Sequence, residues 1–181
     1  PNTTAADGIW TLKKVRRAIL GDNWPEVIVP DQFFANTVLL LQADDFADGS
    51  QNNTFLDSST NTHTITRNGN VTQGSFSPFS QDEGKWGNYF VDNAERLSAT
   101  VTAPGTGDFT VEAWVWFDSL SSNQIIFSFG TFSPGIYYRS ASNELAVYHS
   151  SAFYLSGFTP EVNTWYHIAF TRSGTDSRLF V

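Results

Sequence analysis

Between Asp108 and Phe117 apolar and polar positions alternate. Phe109, Val111, Ala113, Val115 and Phe117 fall on one side of an extended chain and Thr110, Glu112, Trp114 and Trp116 on the other. A period of two predicts a strand with one apolar face. Trp165 to Arg172 repeats the pattern, with Tyr166, Ile168 and Phe170 alternating with Trp165, His167, Ala169 and Thr171. Arg172-Ser173-Gly174-Thr175-Asp176 then offers turn chemistry before a further extended run, Arg178 to Val181. Both strands read as central. The continuous apolar run Val38 to Leu41 predicts a strand buried on both sides. Thr62 to Arg67 and Val71 to Phe76 flank Asn68-Gly69, a pair that accepts the positive φ of a tight turn, and so read as a hairpin. Further strands are predicted at Asn88 to Asp92, Leu97 to Thr102, Gln124 to Gly130, Ile136 to Ser140, Leu145 to His149 and Ala152 to Gly157.

Helical periodicity occurs only near the start. Leu12, Val15, Ile19 and Leu20 follow an i, i+3, i+7, i+8 spacing, with Thr11 placed to cap and Gly21 to stop, which predicts a short amphipathic helix over about 11–20. So short a helix is marginal alone in water, and its stripe, with Ile9 and Trp10 beside it, needs a surface to dock on. Residues 1–36 therefore read as an arm and 37–181 as one all-β domain.

Composition sharpens this picture. Six Trp, six Tyr and sixteen Phe, with thirteen Gly and seven Pro, suit an aromatic-filled sandwich. With no cysteine there is no disulfide framework and no thiolate metal site. No apolar run is long enough to cross a bilayer, so no membrane insertion is expected. The absence of Met fits removal of an initiator before Pro1. A net charge of −8 argues against nucleic acid as a partner. Lys13, Lys14, Arg16 and Arg17 are a local exception, and four such charges on one helix are more often a solvated face.

Two segments carry a resemblance. Gly107-Asp108-Phe109-Thr110-Val111-Glu112-Ala113-Trp114-Val115 and Trp165-Tyr166-His167-Ile168-Ala169-Phe170-Thr171-Arg172-Ser173-Gly174 resemble the laminin-G-like branch of the concanavalin A-like sandwiches. Asp57-Ser58-Ser59, with Asn61 and His63, resembles another segment of that family. The likeness runs from about Thr37 to Val181 and implies an all-β, two-sheet antiparallel sandwich. Such a sandwich continues beyond its "WYHxAxTRxG" strand, so this one is expected to be incomplete at its C-terminus. Either a longer polypeptide or a neighbouring subunit would then supply the missing pairing. At the other end, Asp7-Gly8-Ile9-Trp10-Thr11-Leu12 with Asn23-Trp24-Pro25 resembles the opening of certain bacteriophage structural proteins.

Some relatives of this fold are glycosidases, whose retaining chemistry needs two carboxyl groups about 5 to 5.5 Å apart. Here the positions that follow Glu112 at i+2 and i+4 on its face are Trp114 and Trp116, and Asp118 lies roughly 20 Å along the strand. The glucanase-type "ExDxxE" pattern is absent, so no enzyme is expected. Trp114, Trp116, Tyr138 and Tyr148 are the candidates for stacking sugar rings, with Tyr137 and Tyr154 nearby; the competing reading is that such rings fill the core. Asp44, Asp45, Asp48 and Asp57, with Asn52, offer hard oxygen ligands, and the resemblance implies calcium near loop carboxylates. Their spacing matches no twelve-residue calcium loop, and a solvated loop explains them better. No other cofactor is expected. His63, His149 and His167 lack metal-ligand spacing, and His167 reads as a hydrogen-bonded structural residue.

These features point to a structural component of a bacteriophage virion. Its arm, through Ile9, Trp10, Leu12, Val15, Ile19 and Trp24, would dock on other virion proteins or on a copy of itself in a homo-oligomer. Its sandwich would be displayed outward, in a fibre, tail or capsid decoration, toward host-surface glycans. The alternative is a carbohydrate-binding or adhesion module of a cellular surface protein.

Overall fold

The computed structural model describes residues 31–43, 52–79, 86–92, 94–130, 134–149 and 151–181. The chain divides into two compact units, Pro1–Thr37 and Val38–Val181. Within the first, the described residues form one 3-10 turn, Phe34–Asn36. Asp31 organises it, its carboxylate accepting Phe33 N at 2.8 Å and its carbonyl accepting Phe34 N at 3.1 Å. The expected helix over 11–20, and with it Ile9, Trp10, Leu12, Val15, Ile19 and Trp24, lies outside the described residues.

The described part of the second unit is all β. Its strands are β1 (Thr66–Asn68), β2 (Thr72–Gly74), β3 (Gly87–Tyr89), β4 (Arg96–Ser98), β5 (Phe109–Trp116), β6 (Gln124–Ser128), β7 (Gly135–Arg139), β8 (Glu144–His149), β9 (Ala152–Leu155), β10 (Trp165–Ser173) and β11 (Asp176–Phe180). Two larger sheets dominate, ordered β11-β10-β5 and β6-β7-β8-β9, every pairing antiparallel. Alternation puts one face of each sheet against the other. Phe117, Ile136, Tyr138, Leu145, Val147, Ile168 and Phe170 form the buried cluster, with Phe109, Val111, Val115 and Tyr166 packed on it. Burying each large side chain of this kind contributes about 1.5–3 kcal/mol. This is the two-sheet antiparallel packing expected from the sequence.

The two resembling segments turn out to be one physical unit. β5 and β10 pair from Phe109 opposite Arg172 to Trp116 opposite Trp165. Arg172 is nearly buried, and its guanidinium donates to the carbonyls of Gly105 (2.7 Å) and Gly107 (2.9 Å from Nε) while lying 4.9 Å from the Phe109 ring centre. Gly174 N donates to Asp108 Oδ1 at 2.7 Å. A buried cation needs such partners. Five residues of the "GDFT" and "TRxG" stretches, Gly107, Asp108, Phe109, Arg172 and Gly174, thus clamp the start of β5 to the end of β10.

Three sequence expectations are corrected. Val38–Leu41 is not a doubly buried strand: Val38 is 51% exposed and Leu41 38%. Its backbone groups go elsewhere, Leu40 N to the Asp57 carboxylate and the Val38 carbonyl to Asn61 Nδ2, so no ladder forms. Asn68-Gly69 does turn the chain, with Gly69 at φ +75°, but the flanking strands do not pair with each other. β1 pairs with β4, and β2 with β3. The turn is held from β4's side: Glu95 accepts Asn70 N at 3.1 Å, and a Cβ at position 69 would come within 2.8 Å of Glu95 Cγ. Finally, β10 is central as expected, whereas β5 has β10 as its only strand partner among the described residues.

Candidate functional site

Because Phe109, Val111 and Val115 point into the core, Glu112, Trp114 and Trp116 must point out. Antiparallel register sets Trp165 opposite Trp116, His167 opposite Trp114 and Ala169 opposite Glu112, all on the same outward face. Two phenylalanines from the segment after β2 complete a cluster. Phe76 meets Trp116 edge to face at 4.8 Å between ring centres and Trp165 at 5.3 Å; Phe79 meets Trp114 edge to face at 5.7 Å. Trp116 and Trp165, 5.6 Å apart and half-buried, form a floor. Trp114, Phe76 and Phe79 stand exposed above it, at 46%, 58% and 57%.

Polar groups border this surface on one side. His167 lies 5.3 Å from the Trp114 ring centre, and its Nε2 is 3.6 Å from Glu112 Oε2, both side chains open to water. His167, expected as a structural residue, has outward parity in β10 and faces the Glu112 carboxylate. Small Ala169 between Glu112 on β5 and Phe180 on β11 makes a step down from the ring cluster. Exposed apolar surface in contiguous rings, edged by a few hydrogen-bonding groups, is what recognition of a ligand with both C–H faces and hydroxyls requires.

The four stacking candidates do not assemble into one platform. Trp114 and Trp116 share the face just described. Tyr138 sits in the core, 1% exposed, its hydroxyl donating toward the Leu120 carbonyl at 3.0 Å and lying 2.7 Å from Asn143 Oδ1. It has inward parity with Ile136, so no sugar can reach its ring. Tyr148 lies on the outer face of the other sheet, packed against Phe153 (4.7 Å) and Tyr137 (6.2 Å). Phe76, Phe79, Trp165, Glu112 and His167 complete the site beyond what the sequence singled out. Pairing the two alternating strands antiparallel would have found Trp165 and His167; Phe76 and Phe79 arrive from a loop whose path leaves no local signature.

Asp57 is a structural anchor rather than a cation ligand. Oδ1 accepts Leu40 N and Ser59 N, each at 2.9 Å, and Oδ2 accepts Ser59 Oγ (2.9 Å) and His63 N (2.8 Å). Four donors occupy the roughly four lone-pair directions of an ionised carboxylate. Burial pushes this carboxyl up, but the hydrogen bonds from Leu40, His63 and Ser59 outweigh that and hold it at about 2. Asp44, Asp45 and Asp48 lie outside the described residues, and among the described residues no cluster of three His, Asp or Glu side chains suits a metal. An open groove beside β1 and β4, lined by His63, Thr64, Thr66, Ser98, Ala99 and Thr100, offers hydroxyls but no indole or phenyl face.

Among the described residues, carboxylates on the aromatic face are sparse. On its three strands Glu112 stands opposite Ala169 and Asp176 opposite Ser173, four residues further along β10. At about 3.3 Å per residue that is roughly 13 Å along the strands, and the two-strand sideways step adds to it, beyond the 6.5–9.5 Å of inverting glycosidases and the 5–5.5 Å of retaining ones.

Comparison with known proteins agrees with the resemblance and narrows it. A laminin-G family model, described as the concanavalin A-like lectin/glucanases superfamily, matches residues 91–181, just over half the chain and the part that holds β4 to β11. No curated protein and no solved structure matches. Through that match, and with the antiparallel two-sheet fold around it, the chain belongs to the concanavalin A-like lectin/glucanases superfamily.

Proposed function

We propose that this protein is a non-catalytic carbohydrate-binding module of adhesion type, whose ligand lies on the outward face of β5 and β10. The observation that carries the reading is the open ring cluster, above all Trp114, 46% exposed beside Glu112 and His167. Fold membership alone would not suffice, since one fold serves many functions. Sugar rings present apolar C–H faces to an indole and hydroxyls to a carboxylate or imidazole, and this face offers both. The wide spacing of its carboxylates favours binding over hydrolysis. A glycan microarray probed with the whole chain tests the reading: retention of some glycan class by the wild type, lost in Trp114→Ala, supports it, and an array without hits sinks it.

A second reading adds a location. The chain divides at Thr37/Val38, close to the boundary expected between arm and domain. With the likeness of Gly8 to Pro25 to bacteriophage openings, that division favours a module attached to a virion through residues 1–36. Deleting 1–36 would then leave a folded domain that fails to join particles; normal incorporation of the truncated chain would remove this reading.

A further inference from the structure

We infer that the glycan is uncharged, and that Glu112 enforces this. The inference rests on the carbohydrate-binding reading and concerns the same site.

The argument is one of charge. Among the described residues of β5, β10, β11 and the 75–79 segment, the cations are Arg172 and Arg178. Arg172 is buried and committed to the carbonyls of Gly105 and Gly107. Arg178 lies on β11 opposite Thr171, one outward row from Glu112 with β10 between them, and its guanidinium is 4.0 Å from the Asp176 carboxylate. Among the described residues, Glu112 thus borders the exposed indole with His167 as the neighbour able to carry positive charge. The whole chain carries −8. A sugar stacked on Trp114 sets its ring substituents against this carboxylate.

A carboxylate there accepts hydrogen bonds from neutral hydroxyls, which are charge-assisted and strong. It meets a uronate, sialate or sulfate with like charge, in a place where stacking displaces water and, among the described residues, no guanidinium is paired with Glu112. Like-charge juxtaposition excludes wrong partners more effectively than extra contacts favour right ones. His167 Nε2 lies 3.6 Å from the Glu112 carboxylate, so the two side chains form one polar edge beside the indole.

The experiment uses the whole chain on an array carrying cello-, chito-, xylo- and galacto-oligosaccharides alongside polygalacturonate, hyaluronan, sialylated and sulfated glycans. The expected result is hits confined to the neutral set, lost at least tenfold in affinity in Trp114→Ala. Glu112→Gln, which keeps shape and removes charge, is expected to gain anionic hits. Both positions are exposed, and thermal melts identify any variant that has unfolded; His167→Asn then serves as a second probe, expected to weaken neutral hits. Wild-type hits among anionic glycans would overturn the inference while leaving the carbohydrate-binding reading intact. Neutral hits with an unchanged pattern in Glu112→Gln would do the same. An array with no hits would take both down together.

Discussion

Both large sheets carry aromatic clusters on their outer faces, and the two behave in opposite ways. On β7 to β9, Tyr137, Tyr148 and Phe153 pack on one another at 4.7–6.2 Å, Tyr137 is 5% exposed, and Phe153, 40% exposed, carries the Arg139 guanidinium 4.1 Å from its ring centre. There the rings pack on each other, and a cation covers the π-face of the most exposed of the three. On β5 and β10 the rings stack into a floor and an open upper row, and the charged neighbour is a carboxylate, which takes no part in ring stacking. Aromatic content is similar in the two places; presentation differs. A cluster closed on itself stabilises its sheet, whereas one left open is available to something else.

The largest effect should come from the ring beneath both faces. Tyr138→Ala is expected to cost about 3–5 kcal/mol in denaturant titration, as removal of a buried aromatic does. Glycan binding by the fraction still folded should be unchanged; a loss of binding with little loss of stability would mean that Tyr138 belongs to the site. Next comes Asp57, which belongs to neither face and so calibrates what a saturated carboxylate contributes. Asp57→Ala, leaving its donors unpaired, should cost about 2–4 kcal/mol. The wild type's acid response follows from the same group. Its folded value of about 2 lies below the 3.8 of an open chain. The stabilisation is therefore complete above about pH 4 and lost as pH falls toward 2. Acid titration of Asp57→Asn should show a shallower loss than the wild type; parallel curves would refute the assignment.

Smaller effects separate the two faces directly. Arg139→Ala should lower stability by about 0.5–1 kcal/mol through the lost cation–π contact, without touching glycan binding. Glu112→Gln should change stability by less than about 0.5 kcal/mol, because an exposed pair contributes little. If Arg139→Ala abolished binding, or Glu112→Gln unfolded the domain, the contrast between closed and open clusters would fail.

Much of this was legible in the sequence, for a definite reason. Period-two alternation in Phe109–Trp116 and Trp165–Arg172 is local, and it fixed which face each residue takes, Trp114 and Trp116 outward included. Tyr138 was misjudged where its neighbour parity with Ile136 would have placed it inside. What could not be read was pairing between distant strands. Asn68-Gly69 specifies a turn, but Glu95, twenty-five residues on from Asn70, decides that its flanks part. Val38–Leu41 is apolar enough for a strand, yet the Asp57 carboxylate captures its backbone from seventeen residues away. Phe76 and Phe79 reach the site by a loop path that no local pattern encodes.

The Arg172 clamp bears on how the chain comes into being. Its hydrogen bonds join groups 65 to 67 positions apart, whereas β6 to β9 pair only with sequence neighbours. On the ribosome, β5 emerges long before β10 exists. At about 5–20 residues per second the interval is on the order of seconds. Through that wait one edge of β5 and its apolar side stand unprotected in a crowded cell, and Glu112, charged and mid-strand, is the residue best placed to discourage a stray strand from pairing there.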